Sequence, residues 1–347
     1  MAAVASEANL TKQITIIMPR INKHIEIVCS NKSGLSSMSQ PSRDAVLAIL
    51  TKHFAKARIT VIKGRSDLEA LVSRKPDLVF LGMKFMPLDP TPGYSGPDKI
   101  WITDYLDKQG IAYTGSGQAA HKLELNKPLA KQRMLDVGLR TSPFYVMIQN
   151  QPLVKDNEEI SFPLFVKPTN RGGGTGIDSN SVVNSFAKLR AKVQSIALAL
   201  KEDSLVEKYL SGREFSVAIL KDEHSAEFLT MPIELIAEQD QQGSRLLSEH
   251  VKSSNTESVL EIKDEIIKSK VCALALGAFH ALGAQDYGRI DIRMDEFGTP
   301  HFLEANLLPS LIDGYGSFPK ACNVNQHIGH ESMVMTIVNL ALARHPA

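Results

Sequence analysis

Apolar runs and helical patterns alternate along the first third of the chain. The runs ITIIMP (14–19), ARITVIKG (57–64) and DLVFLG (77–82) are rich in residues that favour strands. Apolar residues recur at helical spacing in DAVLAILTKHF (44–54) and again at 66–73. Strands that alternate with helices are typical of a parallel sheet in an α/β domain.

Both kinds of pattern continue along the rest of the chain. A Gly-Ser-Gly turn at 115–117 leads into a helical pattern, and residues 264–282 predict a second long helix. FPLFVKP (162–168) predicts a strand that runs into a group of glycines. SLVEKYLSGREFSVAIL (204–220) predicts two strands around a tight Ser-Gly turn.

The stretch GRIDIRMDEFGTPHFLEAN (288–306) predicts a β-hairpin around the turn residues DEFG. Successive side chains on a strand alternate between its two faces. One face is predicted to carry Arg289, Asp291 and Arg293. The core face is predicted to carry Ile290, Ile292 and Met294. On the second strand, Phe302, Glu304 and Asn306 are predicted to share one face.

The simplest register of this hairpin places Asp291 opposite Glu304 and Arg289 opposite Asn306. Two carboxylates and an amide oxygen then converge, and hard oxygen donors favour magnesium over zinc. The alternative is a solvated polar face with Arg289 as its counter-ion. The hairpin alone leaves both interpretations open.

Composition narrows the classes of protein. The 347 residues, 43% of them apolar and 22% charged, are too many for one compact core, so two or three domains are expected. Lys and Arg total 39 against 38 Asp and Glu, which is not the basic excess of a nucleic-acid binder. Three cysteines without metal or disulfide spacing favour a reducing cytoplasm. We expect no signal peptide and no membrane span.

The segment KPTNRGGGTG predicts a loop that binds phosphate. Its glycines are Gly172, Gly173, Gly174 and Gly176, interrupted only by Thr175. Such a density weakens ordinary structure, but it lets backbone N–H groups approach an anion closely. Lys167 precedes the loop at the end of an apolar strand, where an anion would explain it. The alternative is a flexible hairpin whose lysine reaches into water.

Several motifs in order resemble one family. YTGSG, NKPLAKQRMLDVGL, VKPTNRGGGTG, VEKYLSGREFSVAIL and YGRIDIRMDEFGTPHFLEAN are similar to the ATP-grasp ligases, and most similar to D-alanine:D-alanine ligase. The resemblance covers most of the chain from 110 to 309. It implies an α/β (α+β) ATP-grasp fold, with nucleotide held between two α+β domains behind an N-terminal α/β domain.

The resemblance also implies domain boundaries. Residues 1–120 would form the N-terminal domain, with 1–12 as a loose tail. Residues 121–212 would form the central ATP-grasp subdomain, and 213–347 the C-terminal subdomain with the metal and catalytic site. The family further implies a homodimer.

The resemblance also implies a role for each residue that matches a functional position of the family. Lys127 and Lys167 would contact the phosphates of ATP, and the glycine loop would close over them. Glu207, Lys208, Tyr209 and Leu210 would form the segment that binds adenine, and Glu214 would hold the ribose. Asp291, Glu304 and Asn306 would bind two Mg²⁺ ions, for which Mn²⁺ could substitute. Arg289 would stabilise an acyl phosphate and the later oxyanion, which the backbone N–H of Ser310 would also serve.

The amino-acid half departs from the family. Gly173 stands where a serine is expected, and the mobile-loop stretch SEHVKSSNTES offers Lys252 as a catalytic residue but places Ser253 at the tyrosine position. The N-terminal segment NKSGLSSMSQPS (31–42) has no glutamate. Lys84 and Arg171 lie in diverged segments, and either could meet an added negative charge on the substrate or be a solvated surface residue.

The predicted function is an ATP-dependent carboxylate-amine ligase with small-molecule substrates other than those of the family. A true D-alanine:D-alanine ligase is one alternative. An ATP-grasp phosphotransferase or a non-catalytic ATP-binding regulator is another, although Arg289, as an oxyanion partner, favours a ligase.

Overall fold

A computed structural model describes residues 19–32, 34–35, 37–88, 98–149, 160–239, 245–247, 251, 254 and 256–345. The predicted strand ITIIMP lies outside these residues except for Pro19. None of the helices within the described ranges is both long enough and apolar enough to cross a membrane.

The N-terminal unit is built on a parallel three-stranded sheet, as predicted. Its strands are β1 (Ile21–Cys29), β2 (Phe54–Val61) and β3 (Leu78–Leu81), in the order β2-β1-β3. The helices α1 (Gln40–His53) and α2 (Arg65–Ser73) connect them. The sequence pattern did not predict β1, because the first half of INKHIEIVC is polar and lies at the exposed end of the sheet.

A short connecting region follows. It comprises β4 (Phe85–Pro87), β5 (Lys99–Trp101), α3 (Ile102–Asp107), α4 (Gln118–Leu125) and α5 (Lys127–Asp136). The helix α4 begins directly after the Gly-Ser-Gly turn, as predicted. Residues of α4 and α5 pack in one core with the C-terminal sheet.

The central unit is a four-stranded sheet with one helix on it. Its elements are β6 (Phe144–Met147), β7 (Leu164–Pro168), β8 (Val182–Val183), α6 (Phe186–Leu200) and β9 (Ser204–Lys208). The strand order is β6-β9-β7-β8.

The C-terminal unit is an antiparallel five-stranded sheet with the order β12-β11-β10-β13-β14. Its strands are β10 (Glu214–Lys221), β11 (Phe228–Ile236), β12 (Ser258–Glu261), β13 (Tyr287–Met294) and β14 (Pro300–Asn306). Its helices are α7 (Glu265–Ala281), α8 (Ser317–Gln326) and α9 (His330–Arg344). The long helix predicted at 264–282 is α7.

The Ser-Gly turn joins two sheets rather than two strands of a hairpin. Both predicted strands, β9 and β10, are present, but they belong to different sheets. The amide of Gly212 donates to the carbonyl of Met294 at 3.0 Å, and a Cβ at Gly212 would lie 2.6 Å from the carbonyl oxygen of Asp295. Glycine is therefore required where the chain passes from the central to the C-terminal sheet.

Candidate active site

The hairpin of β13 and β14 has the predicted register. Asp291 pairs with Glu304, and Arg289 pairs with Asn306. The face assignments on β13 are confirmed too, because Ile290, Ile292 and Met294 belong to the core under the sheet.

One face assignment on β14 is wrong. Phe302 does not share a face with Glu304, because the register shifts at Leu303 and pairs Phe302 with Ile292 on the core face. Phe302 is fully buried, whereas Glu304 lies at the cleft. A β-bulge places one extra residue on one strand and so reverses the side-chain alternation beyond it.

The crowded acids of the hairpin are balanced by cations. Arg289 donates two hydrogen bonds to Asp291, from Nε at 2.9 Å and from Nη2 at 2.8 Å, and Ser216 donates a third at 2.9 Å. The Nζ of Lys127 lies 3.7 Å from Oε2 of Glu304. Burial opposes the charge of Arg289, but the carboxylate of Asp291 raises its pKa. Arg289 is thus a counter-ion of Asp291, as expected if the hairpin carries a solvated polar face.

Oxygen donors at this face suit a hard cation. Asp291, Glu304 and Asn306 supply two carboxylates and one amide oxygen, the donor types that Mg²⁺ prefers. Within the described part of the chain, no group of three or more His, Cys, Asp or Glu residues could hold a metal ion. The Asn306 amide is therefore the third protein oxygen donor beside the two carboxylates at this face.

A first cavity adjoins the hairpin. Six of the residues assigned to the nucleotide line it: Lys167, Glu207, Lys208, Tyr209, Leu210 and Glu214. Asp291 and Glu304 also line it. The structure therefore brings together one set of candidates that are up to 137 residues apart in sequence, from Lys167 to Glu304.

Glu207 lies between two buried lysines. Its Oε1 is 2.6 Å from Nζ of Lys131, and its Oε2 is 2.9 Å from Nζ of Lys167. Burial would raise the pKa of Glu207, but the two ammonium groups outweigh it and lower the pKa to about 2. Burial lowers the pKa of Lys131 to about 8.

Sequence reasoning missed Lys131, although a signal was present. Lys127 and Lys131 are four residues apart on α5, so they lie on one face of that helix. Two lysines at this spacing in NKPLAK could have indicated a second cation beside the first.

Glu214 forms an ion pair with Arg293. Its Oε2 accepts a hydrogen bond from Nη1 of Arg293 at 2.9 Å, and the guanidinium of Arg293 lies 5.3 Å from the ring centre of Tyr209. Arg293 lines the first cavity and was not a predicted site residue. Its place on the same face as Asp291, which the alternation of β13 gives, could have indicated it.

A second, larger cavity shares Asp291 and Glu304 with the first. Seven predicted residues line it beside the two shared acids: Lys127, Gly172, Gly173, Thr175, Arg289, Asn306 and Ser310. Gly174 and Gly176 belong to the same loop but do not line either cavity. Lys252 and Ser253 lie outside the described residues.

The glycine loop takes the conformation that its composition predicts. Gly173, Gly174 and Gly176 have φ of 67°, 81° and 77°, in the region that favours glycine. The Nζ of Lys127 donates to the carbonyl of Arg171, at the start of the loop. The same ammonium thus contacts the loop and the acidic face of the hairpin.

Lys84 and Arg171 are the two candidates for binding an added negative charge on the substrate, and their surroundings differ. Lys84 lines the second cavity, and its Nζ lies 2.5 Å from Oε1 of Glu124. Arg171 lines the same cavity, but its side chain turns to α6, with Nε 3.1 Å from Glu202 and Nη2 3.4 Å from the carbonyl of Leu200.

Known proteins share the sequence pattern and the fold of this chain. The family model for the D-ala D-ala ligase C-terminus matches residues 134–339. The D-alanine--D-alanine ligase of Hydrogenovibrio crunogenus is 30% identical over 240 residues, covering 68% of this chain and 72% of the relative. That of Geotalea uraniireducens is 28% identical over 331 residues, covering 95% and 96%. The crystal structure of D-alanine--D-alanine ligase from Bacillus anthracis complexed with ATP shares the fold, with a TM-score of 0.72 at 20% identity over 93% of this chain and 98% of that one.

Proposed function

The chain belongs to the D-alanine:D-alanine ligase family, and from this premise we propose that it is an ATP-dependent ligase with an altered amino-acid half. It joins a carboxylate to an amine and releases ADP and phosphate. The observation that carries the proposal is that the two cavities have acidic residues in common. Asp291 and Glu304 line both of them, so a nucleotide in the first would present its terminal phosphate to an acceptor in the second.

The reaction has two steps. A carboxylate oxygen attacks the γ-phosphorus of ATP, which gives an acyl phosphate and ADP. An amine nitrogen then attacks the acyl carbon, phosphate leaves, and the nitrogen loses a proton. The protein mainly positions the reactants and stabilises charge, as phosphoryl transfer requires. The position of Arg289 supports such a role, since it lines the second cavity beside the shared acids.

Asp291, Glu304 and Asn306 are the residues that would hold Mg²⁺. When bound, the cation neutralises phosphate charge and orients the phosphates. Lys167 adds fixed positive charge at the first cavity, and Lys127 adds it at the second.

The glycine loop should become ordered over bound nucleotide. Hydrogen exchange of the amides in residues 171–176 is expected to slow when AMP-PNP and Mg²⁺ are added, because N–H groups that bind phosphate are protected. Exchange measured by mass spectrometry checks this, with the hairpin turn at 295–298 as an internal control. Unchanged exchange at 171–176 would contradict a phosphate-binding role for the loop.

Two features of the second cavity support an altered substrate. The described residues of the acid-free N-terminal segment that line this cavity are Gly34, Leu35 and Ser37, so this wall offers no carboxylate. Gly173 lines it without a side chain to donate a hydrogen bond. A pocket that lacks buried hydrogen-bond partners does not retain the ligand that needs them.

D-Alanine alone is therefore expected to stimulate ATP hydrolysis only weakly. We expect a kcat/KM for D-alanine below the usual enzyme range, about 10⁴ M⁻¹s⁻¹, and a far larger rate with an acid or amine that is larger or differently charged. A screen of D- and L-amino acids and dipeptides for ADP release, with products identified by mass, tests the proposal. Efficient formation of D-alanyl-D-alanine would show that the substrate is unaltered, and no ADP release with any pair would overturn the ligase proposal.

A further inference from the structure

Lys84 is held in place at the second cavity by a buried carboxylate. Its side chain is 17% exposed and that of Glu124 is 3% exposed. The Oε1 of Glu124 accepts from Nζ of Lys84 at 2.5 Å and from the backbone N–H of Leu307 at 2.8 Å. Leu307 directly follows Asn306, so one carboxylate oxygen ties the lysine to the end of β14. The position of Lys84 is thereby fixed relative to the candidate catalytic face.

The other oxygen of Glu124 is fixed by a histidine. Nδ1 of His121 lies 3.0 Å from Oε2 of Glu124, and His121 is fully buried. Burial lowers the pKa of His121, and the carboxyl of Glu124 has its pKa lowered to about 2, chiefly by Lys84 against the effect of burial. The histidine is therefore neutral and the glutamate ionised, so Nδ1 carries the hydrogen and donates it. Three donors hold the carboxylate of Glu124 in place, and that carboxylate aims Lys84.

Lys84 differs from the other cations of this cavity. Arg289 gives two hydrogen bonds to Asp291, Arg171 turns to Glu202, and Lys127 contacts the loop and Glu304. Lys84 has Glu124 as its one hydrogen-bond partner within the described part of the chain. An ammonium group has three donors. Its other two donors contact no group in that part of the chain, so a ligand in the cavity can accept them.

Glu257 supplies the opposite charge in the same cavity. It lines the second cavity just before β12. Its Oε2 is buried and accepts no hydrogen bond from any residue that the structure describes. A carboxylate oxygen removed from water without a donor is costly, and a cationic ligand would relieve that cost.

We propose that Lys84 and Glu257 determine substrate specificity by holding the non-reacting charged ends of the two substrates. Lys84 binds the free carboxylate of the substrate that supplies the amine, and Glu257 binds the ammonium group of the substrate that is activated. The product is then a dipeptide-like zwitterion. This inference rests on the proposed ligase function and names two residues that determine which substrates it takes.

A binding cycle between protein variants and blocked ligands tests the inference. The probes are a panel of D- and L-dipeptides, each in free, C-terminally amidated and N-acetylated form, titrated calorimetrically into the protein with ADP and Mg²⁺. The variants are Lys84→Met, Lys84→Arg and Glu257→Gln. Lys52→Met is the matched control, since Lys52 forms a 2.6 Å ion pair with Glu331 that lies outside the cavity.

We expect at least one free dipeptide to bind the unmodified protein. Amidation and Lys84→Met should each weaken it about tenfold or more, as for a hydrogen bond between charged groups. Combined, they should cost no more than either alone, because both remove the same contact. N-Acetylation and Glu257→Gln should likewise each weaken binding, and their combination should cost no more than either alone. Lys84→Arg should keep the preference for the free carboxylate, and Lys52→Met should change nothing.

Three results would overturn the inference. One is equal binding of free and amidated probes to the unmodified protein, and another is an equal loss for both probes in Lys84→Met, which would mark the ion pair as structural. The third is that no free dipeptide binds. The cycle reads binding, whereas the ligase proposal is judged by ADP release, so either can fail without the other.

Discussion

Substitution of Glu304 by glutamine is expected to reduce ATP turnover by at least about 100-fold, the usual cost of removing one group that stabilises developing charge. The change keeps the volume of the side chain but removes a formal charge from the wall shared by the two cavities. It also removes a negative charge 3.7 Å from Nζ of Lys127. The measurement is steady-state ADP release with saturating Mg²⁺.

The fold should survive this change. The side chain of Glu304 is 21% exposed, and partly exposed ion pairs contribute about 1 kcal/mol or less. Glu296→Gln is the matched control, because it makes the same substitution at an exposed position in the turn of the same hairpin. Near-normal turnover by Glu304→Gln would return the hairpin to its other interpretation, a solvated polar face neutralised by Arg289.

The largest loss of stability is expected from Glu207→Gln. Lys131 and Lys167 lie 2.6 and 2.9 Å from the two oxygens of Glu207, and all three side chains are at most 5% exposed. Removing one partner from such a group leaves buried charge without compensation, at about 3 to 5 kcal/mol. Urea unfolding at pH 7 should show this as a lower midpoint at an unchanged slope.

The stability of the Glu207→Gln variant should also depend less on pH in the acid range. The pKa of Glu207 is lowered to about 2 from an ordinary value of 4.5. Its stabilising contribution is therefore fully present above pH 4.5 and is lost as the pH falls from there to about 2. Glu207→Gln removes this part of the acid dependence, while that of Glu124, whose pKa is also lowered to about 2, is retained.

Glu69→Gln is the matched control, because it makes the same substitution in an ion pair that is exposed rather than buried. Glu69 and Arg65 are 60% and 70% exposed and lie four residues apart on α2, so their pairing contributes well under about 1 kcal/mol. A Glu207→Gln variant as stable as this control would show that the two lysines do not depend on Glu207 for their charge.

Local signals predicted much of the fold. The helix α7 follows from periodicity, because one face of it contacts a core, and the strand β7 follows from its short apolar run. The hairpin register followed from the alternation of β13 and a four-residue turn. The bulge at Leu303 did not, because an extra residue on one strand is accommodated by packing and leaves no pattern in a single sequence. The strand β1 was missed for a similar reason, since its polar half is stabilised by pairing with neighbours rather than by its own composition.

By itself the sequence determined which residue types stand at the candidate site and that Asp291 and Glu304 face each other, since alternation and turn chemistry are local. It also indicated the glycine loop, because a cluster of glycines is visible without any contact. Only the tertiary structure decided which charges meet. Glu207 lies between Lys131 and Lys167, and Lys84 is aimed by Glu124, 40 residues away. Such pairings depend on how separate sheets and helices pack, and electrostatic partners at long sequence separation have no periodicity that a single chain reveals.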